Sequence, residues 1–235
     1  MNQKNIVESH QLCIGYNNKS LTEPFDLKLK ENCWYGVIGA NGSGKTTFFK
    51  TLLAEIKPIS GHLLIMDSEI GKHNCHIGYI PQERELNANI LTSAYSIILS
   101  SYNAHRWGIP IYSKTLKKIA SDIIDTVGAS DFAHKPFNTL SGGQKKRIYL
   151  AQALISEAKL LLMDEPLADL DPQSKKGFLD ALRKIHKQTT LSMMMISHDM
   201  HEIAQYLDAF IHFRDNKVHF CKEMPCIKES AYVGI

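Results

Sequence analysis

No apolar run in this sequence approaches the ~20 residues that a membrane-spanning helix requires. The longest, Lys159 to Met163 and Leu191 to Ile196, fall far short, so any membrane role has to come through a partner. Cysteine is scarce. Cys13, Cys33, Cys75, Cys221 and Cys226 make an odd count with no C-x-x-C pair, which argues against a disulfide framework. The N-terminal MNQKNIVESHQ lacks the apolar stretch of a secretory leader, and reduced thiols in a cytoplasm are expected. One-sided charge is lacking too. With 27 basic and 24 acidic residues the net charge is +3, too mild to demand nucleic acid, and no nucleic-acid partner is expected. At 44% hydrophobic and 22% charged, with 14 Gly and 8 Pro, the composition excludes disordered and collagen-like chains. What remains is a globular chain of 235 residues, room for one large domain or two small ones.

Short strands are expected from Ile6 to Tyr16 and from Phe25 to Leu29 by alternation. Cys33-Trp-Tyr-Gly-Val-Ile38 is a continuous apolar run ending at glycine, the pattern of a strand buried on both faces. A helix over Thr46 to Ala54 follows, stopped by Lys57-Pro58-Ile-Ser-Gly61. From Glu83 to Ser141 the texture is helical, with Ile90 to Tyr102 and Lys114 to Val127 separated by Trp107-Gly-Ile-Pro110. Helix and strand then alternate: Gln144 to Ile155 helical, Lys159 to Met163 a buried strand, Ser174 to Lys187 helical, Leu191 to Ile196 a buried strand. This gives a single domain over 1–235, with an α/β core at 1–82 and 142–235 and a helical insertion at 83–141. The tail after Asp208 reads as a small strand and turn region with little signal.

Gly39-Ala-Asn41-Gly42-Ser43-Gly44-Lys45-Thr46 fits G-x-x-x-x-G-K-[ST] between an expected buried strand and an expected helix, the context that motif requires. Glycines let the backbone wrap phosphate oxygens with its N–H groups inward, and the helix start adds partial positive charge. Lys45 can neutralise terminal phosphates and the Thr46 hydroxyl can ligate Mg²⁺. Such a site needs a carboxylate on a neighbouring strand. Leu160-Leu-Leu-Met163 ends in Asp164 and Glu165: the first is placed to hold Mg²⁺ through its water shell, the second to polarise the attacking water as general base.

Leu140-Ser141-Gly142-Gly143-Gln144 ends 20 residues before Asp164 and opens an expected helix, with Ser141 as N-cap beside backbone N–H groups bared by two glycines. A second phosphate-reading helix start beside one phosphate loop suggests a two-fold dimer, each chain closing over its neighbour's nucleotide. With this pentapeptide the chain resembles the ATP-binding cassette ATPases, and the likeness covers nearly its whole length. The resemblance implies a P-loop NTPase core with an antiparallel β subdomain and an inserted helical subdomain. It implies ATP and Mg²⁺ as ligands, contacted by Gly39, Asn41, Gly42, Ser43, Gly44, Lys45, Thr46 and Thr47, with Mg²⁺ at Thr46, Gln82 and Asp164. Ser141, Gly142, Gly143 and Gln144 would meet the γ-phosphate held by the other subunit. Tyr16, 23 residues before Gly39, looks like the aromatic that stacks on adenine. Gln82 looks like the glutamine that touches Mg²⁺ and faces the membrane partner. Asp171 belongs to a stretch like the loop at the dimer seam, and His198 looks like the histidine that clamps the γ-phosphate. Lys45, Glu165 and His198 are the expected catalytic set. Asp169 and Lys145-Lys146 depart from the family's usual residues; the two lysines make that helix more basic.

The resemblance implies an ATPase subunit that dimerises and drives separate permease subunits from the inner face of the cell membrane, with an extracytoplasmic solute-binding protein in the same system. Alternatives are a soluble cassette ATPase of iron–sulfur cluster assembly and an exporter subunit. Leu91-Thr92, Arg106-Trp107 and Val127-Gly128-Ala129 resemble cassettes of zinc and manganese importers more than those for sugars or amino acids. The 11 histidines are scattered, and His219, Cys221 and Cys226 are read as surface and core positions rather than a metal site.

Overall fold

The computed structural model describes residues 4–82, 92–102, 112–168, 170–197 and 200–224. In chain order these form β1 (Asn5–Cys13), β2 (Gly15–Tyr16), β3 (Lys19–Ser20), β4 (Phe25–Lys30), β5 (Trp34–Gly39), α1 (Lys45–Leu52), β6 (Ser60–Ile65) and β7 (Ser68–Glu69). Next come β8 (Ile77–Ile80), α2 (Ala94–Ser101), α3 (Lys114–Thr126), α4 (Gly142–Ile155), β9 (Leu160–Asp164) and α5 (Pro172–Gln188). Last are β10 (Ser192–Ile196), α6 (Met200–Ile203), β11 (Ala209–Arg214) and β12 (Lys217–Cys221). The chain divides into two compact units, Met1–Asn74 with Ser192–Ile235, and Cys75–Leu191.

The first unit holds an antiparallel sheet in the order β4-β1-β6-β7. The single strand expected over Ile6 to Tyr16 is broken: Gln11 turns to φ 47, the β1 register shifts, and Gly15-Tyr16 pairs instead with Lys19-Ser20. Beside that sheet β5 runs parallel to both β10 and β11, with Met193 opposite Trp34 and Phe213 opposite Gly39. Three methionines, Met193 to Met195, are fully buried there as core. The tail therefore carries more structure than its sequence suggested. Ala209, Phe210, Ile211 and Phe213 are buried against the strand that feeds the phosphate loop, and β12 returns antiparallel to β11. The Phe48 ring of α1 lies between Phe25 of β4 and Phe213 of β11, with centroids 6.2 and 5.7 Å away. Such aromatic pairs add ~0.5–1.5 kcal/mol each beyond burial, and here they fix the helix that begins at Lys45.

In the second unit β8 and β9 pair in parallel, Ile77 opposite Leu160 and Ile80 opposite Met163. α4 packs on β8, α2 and α3, and the Gln152 amide donates to Ser101 Oγ at 2.8 Å. Arg147 pins α4 to the end of α3 by donating to the Val127 carbonyl at 2.5 Å, and burial lowers the pKa of its guanidinium from the usual value. Ser93 and Ser113 cap α2 and α3 through their hydroxyls.

Candidate nucleotide site

β5 ends at Gly39 and α1 starts at Lys45, so the intervening loop sits at the carboxyl edge of parallel strands, where α/β proteins place ligands. Gly42 and Gly44 take φ of 75° and 105°, values that side chains resist. Gly44 is the N-cap of α1 and contributes no side-chain cap, which leaves that end of the helix suited to an anion. The Ser43 hydroxyl oxygen is buried with no hydrogen-bond partner among the described residues, an acceptor-seeking group inside a loop that wraps phosphate. Lys45, 7% exposed, donates to the carbonyls of Gly39 at 2.7 Å and Ala40 at 2.9 Å. Its ammonium is thus folded back on the loop, a single positive charge held where terminal phosphates would meet it. Asn41 and Thr46 are exposed and Thr47 is buried. Tyr16, 43% exposed on the β2–β3 hairpin, presents its ring to solvent rather than to the core.

The second unit gathers Gln82, Asp164 and Glu165. In the β8–β9 register Gln82 follows Ile80 by two residues and Glu165 follows Met163 by two, so both emerge at the same edge. The Gln82 amide donates to Glu165 Oε2 at 3.3 Å. Glu165 sits at φ 49, a left-handed conformation uncommon outside glycine. Asp164 closes β9 and is 2% exposed. Hard oxygen donors of this kind suit Mg²⁺ better than a soft metal.

The same unit holds the Ser141–Gln144 segment. Ser141 caps α4: its hydroxyl accepts from the Gln144 N–H at 3.3 Å, and Gln144 Oε1 accepts from the Ser141 N–H at 3.0 Å, a reciprocal capping box. A Cβ on Gly142 would meet nothing within 4 Å, so this helix start is open to a ligand. Asp171 caps α5, accepting from the Ser174 N–H at 3.0 Å. Hydrogen bonding from Ser174 holds its carboxyl below the usual range. His198 and Asp169 lie outside the described residues, as do Leu91, Arg106, Trp107 and Cys226. Of the two lysines that make α4 more basic, Lys146 is buried. The helical period could have shown it, since Lys146 shares a face with Leu150 and Ala153 at i+4 and i+7.

A glycine-rich loop between a buried parallel strand and a helix, with a lysine folded into it, defines a nucleoside triphosphate-binding α/β protein. The family profile described as ABC transporter matches residues 22–168, and the chain belongs to that family. It is 28% identical to the manganese transport system ATP-binding protein MntB of Bacillus subtilis over 91% of this chain and 85% of that one. Identity is also 28% to the zinc transport system ATP-binding protein TroB of Treponema pallidum, over 86% and 76%. A solved ATP-binding cassette, MJ0796, described as dimeric with ADP and Pi bound, superimposes with a TM-score of 0.77 at 21% identity, covering 93% of this chain and 99% of that one. The fold is that of the P-loop cassette, and the chain is an ABC ATPase that binds and hydrolyses ATP. Among the described residues no helix is long and apolar enough to cross a membrane.

Proposed function

We propose that this chain is the ATPase subunit of an importer for a divalent transition metal, manganese or zinc, and that two copies pair head to tail beneath separate permease subunits. The observation that carries the metal reading is the similarity, along most of the chain, to the manganese and zinc transport subunits MntB and TroB. The dimer reading is supported by the open helix start at Ser141–Gly142 and by the dimeric cassette of the same fold. Docking on the permeases places the subunit peripherally on the inner face of the membrane, and an extracytoplasmic solute-binding protein completes the system.

In this reading Tyr16 stacks on adenine, and Gly39 to Thr47 wrap the phosphates with Lys45 as their cation. Thr46, Gln82 and Asp164 hold Mg²⁺, which when bound supplies charge neutralisation on the phosphates. Glu165 takes the proton of the attacking water, His198 steadies the γ-phosphate, and Ser141 to Gln144 with Asp171 serve the partner's nucleotide. Residues 83–141 form the helical subdomain that meets the permease. Deleting the gene and measuring cell manganese, zinc and iron in metal-poor medium tests the solute. A fall in manganese or zinc, with growth restored by that metal alone, is expected. Unchanged levels of both would remove the metal reading and leave the ATPase intact.

A further inference from the structure

Lys146 lies in the second turn of α4, 8% exposed. A lysine in such a place is costly unless its ammonium is hydrogen-bonded. Its Nζ donates to the Ala168 carbonyl at 2.7 Å, a charge-assisted bond stronger than a neutral one. Ala168 closes a tight turn: its N–H donates to the Glu165 carbonyl at 3.2 Å. The opening residue of that turn is the one held at φ 49, with its carboxylate met by Gln82. A second contact lies one turn earlier on α4. A Cβ added to Gly143 would stand 3.0 Å from Leu170 Cδ2, so the helix start and the segment after β9 approach as closely as a glycine permits.

We propose that Lys146 is a positioning residue for ATP hydrolysis. Its ammonium clamps the Glu165–Ala168 turn, holds Glu165 in its left-handed conformation, and ties that turn to the Ser141–Gln144 helix start. An event at the start of α4 is thereby transmitted to the carboxylate of Glu165 through one side chain. The inference rests on the reading of Glu165 as general base. The bond from Lys146 to Ala168 acts on the turn that carries Glu165, so its loss should fall on turnover and spare binding.

The test uses the purified full-length chain with Lys146→Met, which keeps the stem and loses the donor, and Lys146→Arg, which keeps a cationic donor. ATPase rates with Mg²⁺ give kcat and KM, and a fluorescent ATP analogue gives nucleotide affinity. Lys146→Met should lose about tenfold to a hundredfold in kcat, the scale of an ångström-level misplacement, with KM and analogue affinity within about threefold of the parent. Lys146→Arg should recover most of the loss. A Lys146→Met kcat within about twofold of the parent, an arginine variant as slow as the methionine one, or equal losses in kcat and affinity would each overturn the proposal. Should Lys146→Met fail to give a cooperative melt, Lys146→Gln replaces it, with a lowered kcat at unchanged KM in support and any other result against. Glu165→Gln assayed in parallel separates the two ideas. If it turns over like the parent, the base assignment fails; if it is slow beside an unaffected Lys146→Met, only the positioning role fails.

Discussion

Gln82 and Glu165 stand 83 residues apart in sequence, yet the Gln82 side-chain amide donates to Glu165 Oε2 at 3.3 Å. The contact follows from the parallel register that sets Ile80 beside Met163, which brings out the residue two beyond each strand at one edge. It ties the glutamine proposed to face the membrane partner to the carboxylate proposed to activate water.

Glu165→Gln should therefore keep ATP binding and lose turnover. A general base contributes ~10²–10⁴-fold, so kcat should fall at least about a hundredfold while analogue affinity holds. Gln82→Ala removes that hydrogen bond, worth about 1 kcal/mol or about fivefold in kcat, and one of the three proposed Mg²⁺ ligands, so kcat should fall by more than about fivefold yet by less than in Glu165→Gln. Steady-state ATPase assays of both variants check the ranking. A Gln82→Ala defect as deep as that of Glu165→Gln would overturn the ranking, in which the base contributes more than the glutamine's hydrogen bond and Mg²⁺ contact together.

Lys45→Ala should abolish nucleotide binding as well as turnover. The lysine is the cation of the loop, already desolvated and held 2.7 Å from the Gly39 carbonyl. Removing such a preorganised partner of phosphate costs on the order of a hundredfold or more. ATP-analogue titration measures it directly, and an affinity within a few fold of the parent would sink the phosphate-loop assignment.

Much of this was legible because local sequence and local structure coincide at the phosphate loop. The apolar run Cys33 to Ile38 can only be a buried strand, and glycine at 42 and 44 answers a backbone demand inside the same dozen residues. Ser141 and Gln144 likewise declare their capping box at i and i+3. What was hidden is non-local. β11 earns its burial from pairing with β5, some 170 residues earlier, and His212 and Arg214 interrupt the apolar run that would have announced it. Its hairpin signal was nonetheless present: Asp215 and Asn216 take φ 49 and 60, the two-residue turn those residue types favour. The Lys146 bond to Ala168 needs α4 and the segment after β9 in contact, which no spacing rule supplies.

Acid should weaken the chain partly through Asp171. Hydrogen bonds from Ser174 lower its folded-state pKa, so the carboxylate's contribution is fully present above the unfolded value of about 3.9 and is lost as pH falls through the depressed folded value. Asp171→Asn keeps an N-cap oxygen but cannot titrate. Urea unfolding from neutral pH downward should show the parent ahead of the variant at pH 7 and the gap closing as the medium becomes strongly acidic. A gap constant over that range would remove the linkage.

The composite sites are predicted to form in trans, and Gly142 provides a clean probe. A side chain there meets nothing within 4 Å of its Cβ in the isolated chain, so Gly142→Arg should fold normally and obstruct only what approaches the start of α4 from outside. Lys45→Ala disables a chain's own phosphate loop and leaves its helix start intact. In a head-to-tail pair of one chain of each kind, one site combines both lesions and the other combines an intact loop with an intact helix start. Each variant alone should be nearly inactive. Mixing them in equal amounts makes about half the dimers mixed, and each of those keeps one of two sites, so ATPase should recover to roughly a quarter of the parent rate. If both motifs served the nucleotide of their own chain, every chain in the mixture would carry a lesion in its only site and no rate would return. Native mass spectrometry verifies that mixed dimers form; their presence without recovered ATPase would overturn the arrangement.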